Sequence, residues 1–340
     1  MKNLKFSIGL VVIILCSFVS SRRIHLKIPK NWPQPKYNFE SNPLSEEKIY
    51  LGRVLFYDPI LSSDSSISCG SCHSQYNSFA HADHALSHGI KDQIGIRNAP
   101  TLQNLAWNDF FMWDGAIHHL DVQALAPITN TKEMNEKLEH VILKLQRSKL
   151  YKKLFRKAYK SEVITSEKTL KAISQFMLTL TSANSKYDRF RNGKEKFSEQ
   201  ELRGYELFKN NCGTCHTEPL FTNGKFESNG LSIDTMLKDF GRVLITKNPQ
   251  DSLKFKVPTL RNIEFSFPYM HDGRFKKLSE VLNHYQNKKL AKNSVGERVL
   301  LSSNEKVDLI AFLLTLSDKE FLFNPKHSFP REILNRSEGK

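Results

Sequence analysis

Two strings in this 340-residue chain have residue types and a spacing that commit them to one chemistry: Cys69-Gly70-Ser71-Cys72-His73 and Cys212-Gly213-Thr214-Cys215-His216. In each, two thiols can form thioethers with the vinyl groups of a haem, and the adjacent imidazole becomes the proximal iron ligand. Disulfides within each pair would leave both histidines as coincidence. A split zinc site would join Cys pairs from distant segments and would not need a His at that place. The two strings therefore predict two covalently bound haem c groups, one on Cys69, Cys72 and His73, the other on Cys212, Cys215 and His216.

Placing one string over the other exposes a repeat in the elements that must position them. Gly52-Arg53-Val54-Leu55-Phe56 precedes the first, and Gly204-Tyr205-Glu206-Leu207-Phe208 precedes the second, the latter in a helix opened by a Ser198/Glu201 capping box. Pro100-Thr101-Leu102-Gln103-Asn104 follows the first string and Pro258-Thr259-Leu260-Arg261-Asn262 the second. Trp113-Asp114-Gly115 and His271-Asp272-Gly273 come next at matching offsets, and each half closes on an apolar helix, at 173–180 and 309–316. Strand-like alternation is nearly absent. The expected fold is all-α, two tandem cytochrome c-like domains with long loops and one covalent haem c each. The first covers 43–190 and carries the substrate haem; the second covers 191–325 and carries the electron-transfer haem. The boundary falls in the polar stretch 185–196, which holds the turn signal Asn192-Gly193 and lacks apolar periodicity. Residues 22–42, with Pro29, Pro33 and Pro35, form an extended arm, and 326–340 a tail.

Reading one half against the other distinguishes the two irons. Counted from the Asp-Gly pair, Leu278, Val281 and Tyr285 share a helical face in the second half, and Leu120, Gln123 and Pro127 take those places in the first. A tyrosine phenolate binds ferric iron, whereas proline has no donor atom. The second haem is therefore expected to be closed by His216 and Tyr285, and the first to be five-coordinate through His73 beneath a polar pocket containing Gln123. An open iron can bind a small molecule such as hydrogen peroxide. Cleaving its O–O bond needs a proton moved from the inner to the outer oxygen, which calls for a nearby carboxylate. Glu133 is the candidate, with an exposed glutamate in Asn130-Thr131-Lys132-Glu133 as the alternative. Trp113 reads either as packing or as a relay between the haems. Three histidines, His81, His84 and His88, could bring a ligand to the first haem or lie on a surface loop, and Met270 is the rival to Tyr285.

These motifs together resemble the bacterial diheme cytochrome c peroxidase family, which includes the MauG-type enzymes; the resemblance spans about residues 43–325. It is carried by both haem strings, Arg97-Asn98-Ala99-Pro100-Thr101, Trp113-Asp114-Gly115, Gln123, Pro127-Ile128, Glu133-Met134, Lys256-Val257 through Asn262, and Pro268-Tyr269-Met270-His271-Asp272-Gly273. It implies that Trp113 lies between the haems, that Gln123 and Glu133 line the peroxide pocket, and that Asn98 with the carbonyls of Ser266 and Pro268 holds a calcium ion. Tyr285 matches the tyrosine that marks the MauG-type branch, which implies a lowered potential able to support a high-valent state. At the position of the gating loop histidine of ordinary members stands Ile90, with His88 close by.

Composition fits this reading. A hydrophobic content of 39% with 25% charged residues is that of a soluble globular protein. The formal charge of +15 fits either an acidic partner or a Lys-rich solvated surface, and no basic block of the nucleic-acid type is present. Lys2 and Lys5 before an apolar run from Phe6 to Val19 read as a signal peptide over 1–21, with a loose lipobox at Cys16 as the alternative, and so as export to the periplasm. The expected enzyme is a peroxidase taking electrons from a small cytochrome c or cupredoxin. The alternatives are MauG-like oxidation of a partner protein, a plain diheme electron carrier, and a redox sensor. The resemblance also admits a homodimer.

Overall fold

The computed structural model describes residues 24–287 and 299–335; the expected signal peptide over 1–21, with Cys16, lies outside the described residues. The chain is mostly helical. In the first half come α1 (Glu46–Tyr57), α2 (Cys69–Cys72), α3 (Leu120–Gln123), α4 (Leu125–Thr129), α5 (Leu138–Arg147), α6 (Lys149–Tyr159) and α7 (Ser166–Leu178). The second half continues with α8 (Lys186–Arg191), α9 (Glu199–Asn211), α10 (Val243–Thr246), α11 (Leu278–Asn287), α12 (Ser303–Leu314), α13 (Lys319–Leu322) and α14 (Arg331–Leu334). A short antiparallel ladder pairs β1 (Phe226–Glu227) with β2 (Phe255–Lys256), with Phe226 opposite Lys256.

The helix starts follow from capping. Ser45 accepts from Lys48 N–H ahead of α1, Thr165 from Lys168 N–H ahead of α7, and the capping boxes Ser198/Glu201 and Ser302/Glu305 open α9 and α12. Two apolar cores result. Leu51, Leu55 and Phe56 of α1 pack with Ile173 and Phe176 of α7 in one; Tyr205 and Phe208 of α9 pack with Leu309 and Phe312 of α12 in the other. The repeat is visible in how each pair of helices crosses. A Cβ on Gly52 would lie 1.8 Å from the Ala172 carbonyl oxygen, and one on Gly204 would lie 1.9 Å from that of Asp308. Each half thus uses a glycine to let the helix before the haem string touch the backbone of the closing helix.

The loops repeat as well. Asn104 and Asn262 both sit at positive φ (57° and 56°), as do Met112 and Met270 (69° and 74°). Their amides hold the loops to the closing helices, Asn104 N–H to Leu180 O at 2.8 Å and Asn262 N–H to Leu316 O at 3.0 Å.

Two features go beyond or differ from the sequence reading. The polar stretch 185–196 contains α8, whose Tyr187 and Asp188 are buried. Asp188 receives both terminal nitrogens of the fully buried Arg261, at 2.9 and 2.8 Å, a bidentate pair that holds the carboxyl below its usual range against the opposing effect of burial. A six-residue helix is too short to show apolar periodicity. The helix expected to carry Leu120, Gln123 and Pro127 on one face is broken into α3 and α4 at Ala124. The break puts Pro127 in the first turn of α4, where its missing N–H costs no helical bond. Leu120 consequently enters the core instead of joining Gln123 at the site.

The flanking segments are docked. Trp32 of the arm meets Trp107 edge-on at 4.9 Å, and Trp107 Nε1 donates to Pro33 O at 2.8 Å. Beyond Ser317 the chain returns to the first core: Phe321, Leu322 and Leu334 are buried in it, and the His327 carbonyl accepts from Tyr57 Oη at 2.7 Å.

Candidate functional site: two attachment strings on one cavity

A single cavity of about 1150 Å³ is lined by Cys72 and His73 from the first half and by Cys212, Cys215 and His216 from the second. Pockets for one drug-sized ligand run to roughly 300–1,000 Å³, so this one exceeds the usual single-ligand range. Each string is built alike. The α2 turn puts Cys69 and Cys72 one turn apart, and His73 caps it through its N–H to Cys69 O at 2.9 Å. His73 Nδ1 donates to Phe79 O at 2.7 Å, and His216 Nδ1 donates to Phe221 O at 3.1 Å. A carbonyl can only accept, so both rings carry their proton on Nδ1 and keep Nε2 for a metal. Phe79 and Phe221 hold these carbonyls in place because both rings are fully buried and both residues sit at positive φ (57° and 55°).

Burial pulls both imidazoles down to about 4, so they are neutral at pH 7, the state that binds iron. Burial also pushes Cys69 and Cys212 up to about 12 and Cys72 up to about 11, and Cys69, Cys72 and Cys212 form no disulfide. Un-ionised buried sulfur, a neutral histidine with a committed second nitrogen, and a large apolar-walled cavity form a donor set that fits haem c.

The two ends of the cavity differ. Beside the first string, Gln123, Pro127 and Glu133 line the wall. Gln123 Nε2 lies 3.7 Å from the Met112 sulfur. Glu133 Oε1 accepts from Asn130 Nδ2 at 3.0 Å, and burial raises its carboxyl above the ordinary range, with the Asn130 bond opposing. The negative charge of Glu133 also helps to raise the Cys69 and Cys72 thiols, so it lies near the first string. The Glu133 carbonyl accepts from Ile90 N–H at 2.9 Å, and a Cβ on Gly89 would lie 2.6 Å from the same oxygen, so the loop before it is locked to this segment. That loop presents its backbone, since the Cys72 thiol donates to His88 O at 3.4 Å. His84 and His88 stack on one another at 4.1 Å and His81 is buried, and none of the three is among the residues lining the cavity.

Beside the second string, Leu278, Val281 and Tyr285 of α11 all face the cavity. Burial raises the Tyr285 phenol, and the nearby Cys212 and Cys215 sulfurs add to the effect; a hydrogen bond from Asn229 opposes them. Met270 also lines the wall, in the left-handed turn it shares with Met112, and its sulfur lies 3.3 Å from Asn229 Nδ2.

Trp113 joins the halves. Its Nε1 donates to Asn98 O at 2.9 Å, and its carbonyl accepts from Lys256 N–H at 2.7 Å. Arg97 fixes the same region by pairing with Asp114 at 2.6 Å and with both oxygens of Asp239 at 2.6 and 2.9 Å. Asn98, Ser266 and Pro268 all line the cavity, and Asn98 Nδ2 donates to Ala85 O at 2.9 Å. Lys256, which stands where the repeat puts Asn98, was not singled out for a role in the sequence reading. Its ammonium faces the cavity wall without an ion pair among the described residues, and burial alone pulls it down to about 8. Phe79, Phe221 and Asn229 were also missed. A phenylalanine shortly after each haem string was a usable signal for the first two; Asn229 had none.

The fold and site define a protein with two haem-attachment strings converging on one cavity. Residues 46–196 match the family described as di-haem cytochrome c peroxidase. The chain is 34% identical over 304 residues to the methylamine utilization protein MauG of Methylophilus methylotrophus, covering 86% of this chain and 88% of that protein. It is 35% identical over 283 residues to the cytochrome c551 peroxidase of Nitrosomonas europaea, covering 81% of each. A crystal structure of a MauG-like protein associated with microbial copper homeostasis superposes with a TM-score of 0.79 at 30% identity, over 90% of this chain and 99% of that one. The chain belongs to the di-haem cytochrome c peroxidase family and is an oxidoreductase of that family.

Proposed function

We propose that this protein is a periplasmic enzyme that reduces hydrogen peroxide at the His73 end of the cavity, with electrons arriving from the His216/Tyr285 end through Trp113. The observation that carries the reading is the asymmetry of the one cavity: Pro127, Gln123 and Glu133 line it in the first half, and Tyr285 lines it in the second. Haem bound at each string would supply a redox-active iron, which His73 would hold at the first string and His216 with Tyr285 at the second. Glu133 would take the proton from one peroxide oxygen and return it to the other, the proton transfer that O–O cleavage to water requires. Gln123 donates a hydrogen bond within the same pocket. Two electrons and two protons complete the conversion of one peroxide to two waters. Trp113, hydrogen-bonded to Asn98 on one side and Lys256 on the other, holds an aromatic ring on the route between the two ends. Lys256, buried on the cavity wall, would be able to offer its ammonium to a haem carboxylate. Asn98, with Nδ2 committed to Ala85, would have its amide oxygen available, together with the carbonyls of Ser266 and Pro268, for a calcium ion.

A second reading shares this machinery, and Tyr285 favours it: the oxidising equivalents are passed to a partner protein, as in the MauG-type branch. Steady-state assays separate the two. Peroxide consumption driven by a reduced small cytochrome c or cupredoxin supports the peroxidase. Peroxide consumption with neither donor oxidised, accompanied by a mass change in a co-purifying protein, supports the second reading. Absence of peroxide consumption under both conditions overturns both.

A further inference from the structure

We propose that Asn229 selects the sixth ligand of the second haem: its carboxamide NH₂ restrains the Met270 sulfur and donates to the Tyr285 oxygen, so that phenolate and not thioether reaches the iron. This rests on the reading of Tyr285 as that ligand. Two side chains with iron-binding atoms, Met270 and Tyr285, line this end of the cavity, and the Met270 sulfur lies 3.3 Å from the Asn229 amide nitrogen. The amide is oriented by the neighbouring backbone. Asn229 Oδ1 accepts from Leu231 N–H at 3.1 Å, which turns the NH₂ toward Met270 Sδ at 3.3 Å, and a hydrogen bond from Asn229 opposes the effect of burial on the Tyr285 phenol. The loop is tied to α11 one residue before the ligand, because His284 Nε2 donates to Asn229 O at 3.0 Å. Movement of the loop and of the ligand helix is therefore coupled.

The repeat supplies an internal comparison. Met112 occupies the same left-handed turn in the first half, and its sulfur is likewise met by a side-chain amide, Gln123 Nε2 at 3.7 Å. In both halves a methionine that lines the cavity is engaged by an N–H donor. In the second half that donor also serves the phenol. An N–H bond to a sulfur lone pair competes with coordination of that sulfur, and an N–H bond to a phenolate disperses its charge.

The test uses the haem-loaded, full-length protein and reads ligation spectroscopically, by electron paramagnetic resonance and near-infrared absorption. Tyr285→Phe is expected to convert the second haem to high spin, because Asn229 still holds Met270 away. Asn229→Leu combined with Tyr285→Phe is expected to restore a low-spin haem with the sulfur-to-iron band of His/Met ligation. If leucine at 229 impairs haem attachment, Asn229→Ala in the same background gives the same comparison. His/Met ligation in Tyr285→Phe alone, or a high-spin second haem in both double variants, would overturn the proposed role of Asn229. A wild-type low-spin signal in Tyr285→Phe would instead show that Tyr285 is not the ligand, a failure of the parent reading that is distinct from the other two.

Discussion

Glu133→Gln is the substitution that most sharply probes the proton chemistry. The amide has the shape of the carboxyl, and its oxygen can still accept from Asn130 Nδ2, now at 3.0 Å. The main-chain bonds of this segment, Ile90 N–H to Glu133 O and Glu133 N–H to Asn130 O, do not involve the side chain. What disappears is the group that can take up and release a proton. Positioned acid–base groups contribute about 10²–10⁴-fold, or about 3–5 kcal/mol of barrier. The second-order rate constant for peroxide, followed by stopped-flow absorbance of the first haem, is therefore expected to fall by about 10²–10⁴-fold, with the resting spectrum unchanged. The pH profile gives an independent check. Glu133 must be ionised to accept a proton, and burial lifts its carboxyl above the ordinary range. The wild-type rate should thus decline as pH drops through that raised value, while the variant should be flat. A variant rate within about threefold of wild type, with the same pH profile, would refute the role of Glu133.

Two further outcomes follow from packing and burial. Gly204→Ala places a methyl 1.9 Å from the Asp308 carbonyl oxygen, a backbone atom, so α9 and α12 must separate; a loss of about 1–3 kcal/mol or more in urea unfolding is expected, and no loss would show that the crossing is not tight. His327, pulled down to about 4 by burial, stays neutral in the fold but binds a proton near 6.5 when unfolded. Its stabilising contribution is complete above about pH 6.5 and is lost as pH falls toward 4, a difference of about 3 kcal/mol. The loss of stability between pH 7 and 4 should therefore be smaller in His327→Phe by about that amount, and an identical pH dependence would contradict the burial of a neutral ring.

What was legible in the sequence had local signatures. The haem strings are written in residue type and spacing, and the repeated Pro-Thr-Leu and Asp-Gly segments mark loops whose left-handed residues recur in both halves. Gly52 and Gly204 were visible as matched positions, though their reason, close contact with a helix backbone, is tertiary. The helix α8 was hidden because six residues carry no period, and its buried pair with Arg261 joins positions far apart in the chain. The break at Ala124 was foreshadowed by Pro127, yet the offsets borrowed from the second half assumed an unbroken helix and so misplaced Leu120. Asn229 reaches the cavity from a loop with no motif of its own, and Lys256, though part of a recognisable motif at the end of β2, shows its place on the cavity wall only in three dimensions. Glu133, which the sequence left between two readings, lines the cavity near Cys72.

The asymmetry of the two ends is tested most directly by electron paramagnetic resonance of the fully oxidised, haem-loaded protein before and after addition of peroxide. One high-spin and one low-spin ferric signal, both lost on adding peroxide, is the result expected for an open site above His73 and a closed one at His216 and Tyr285. Two low-spin signals unmoved by peroxide would contradict it, and would assign the first haem a second protein ligand.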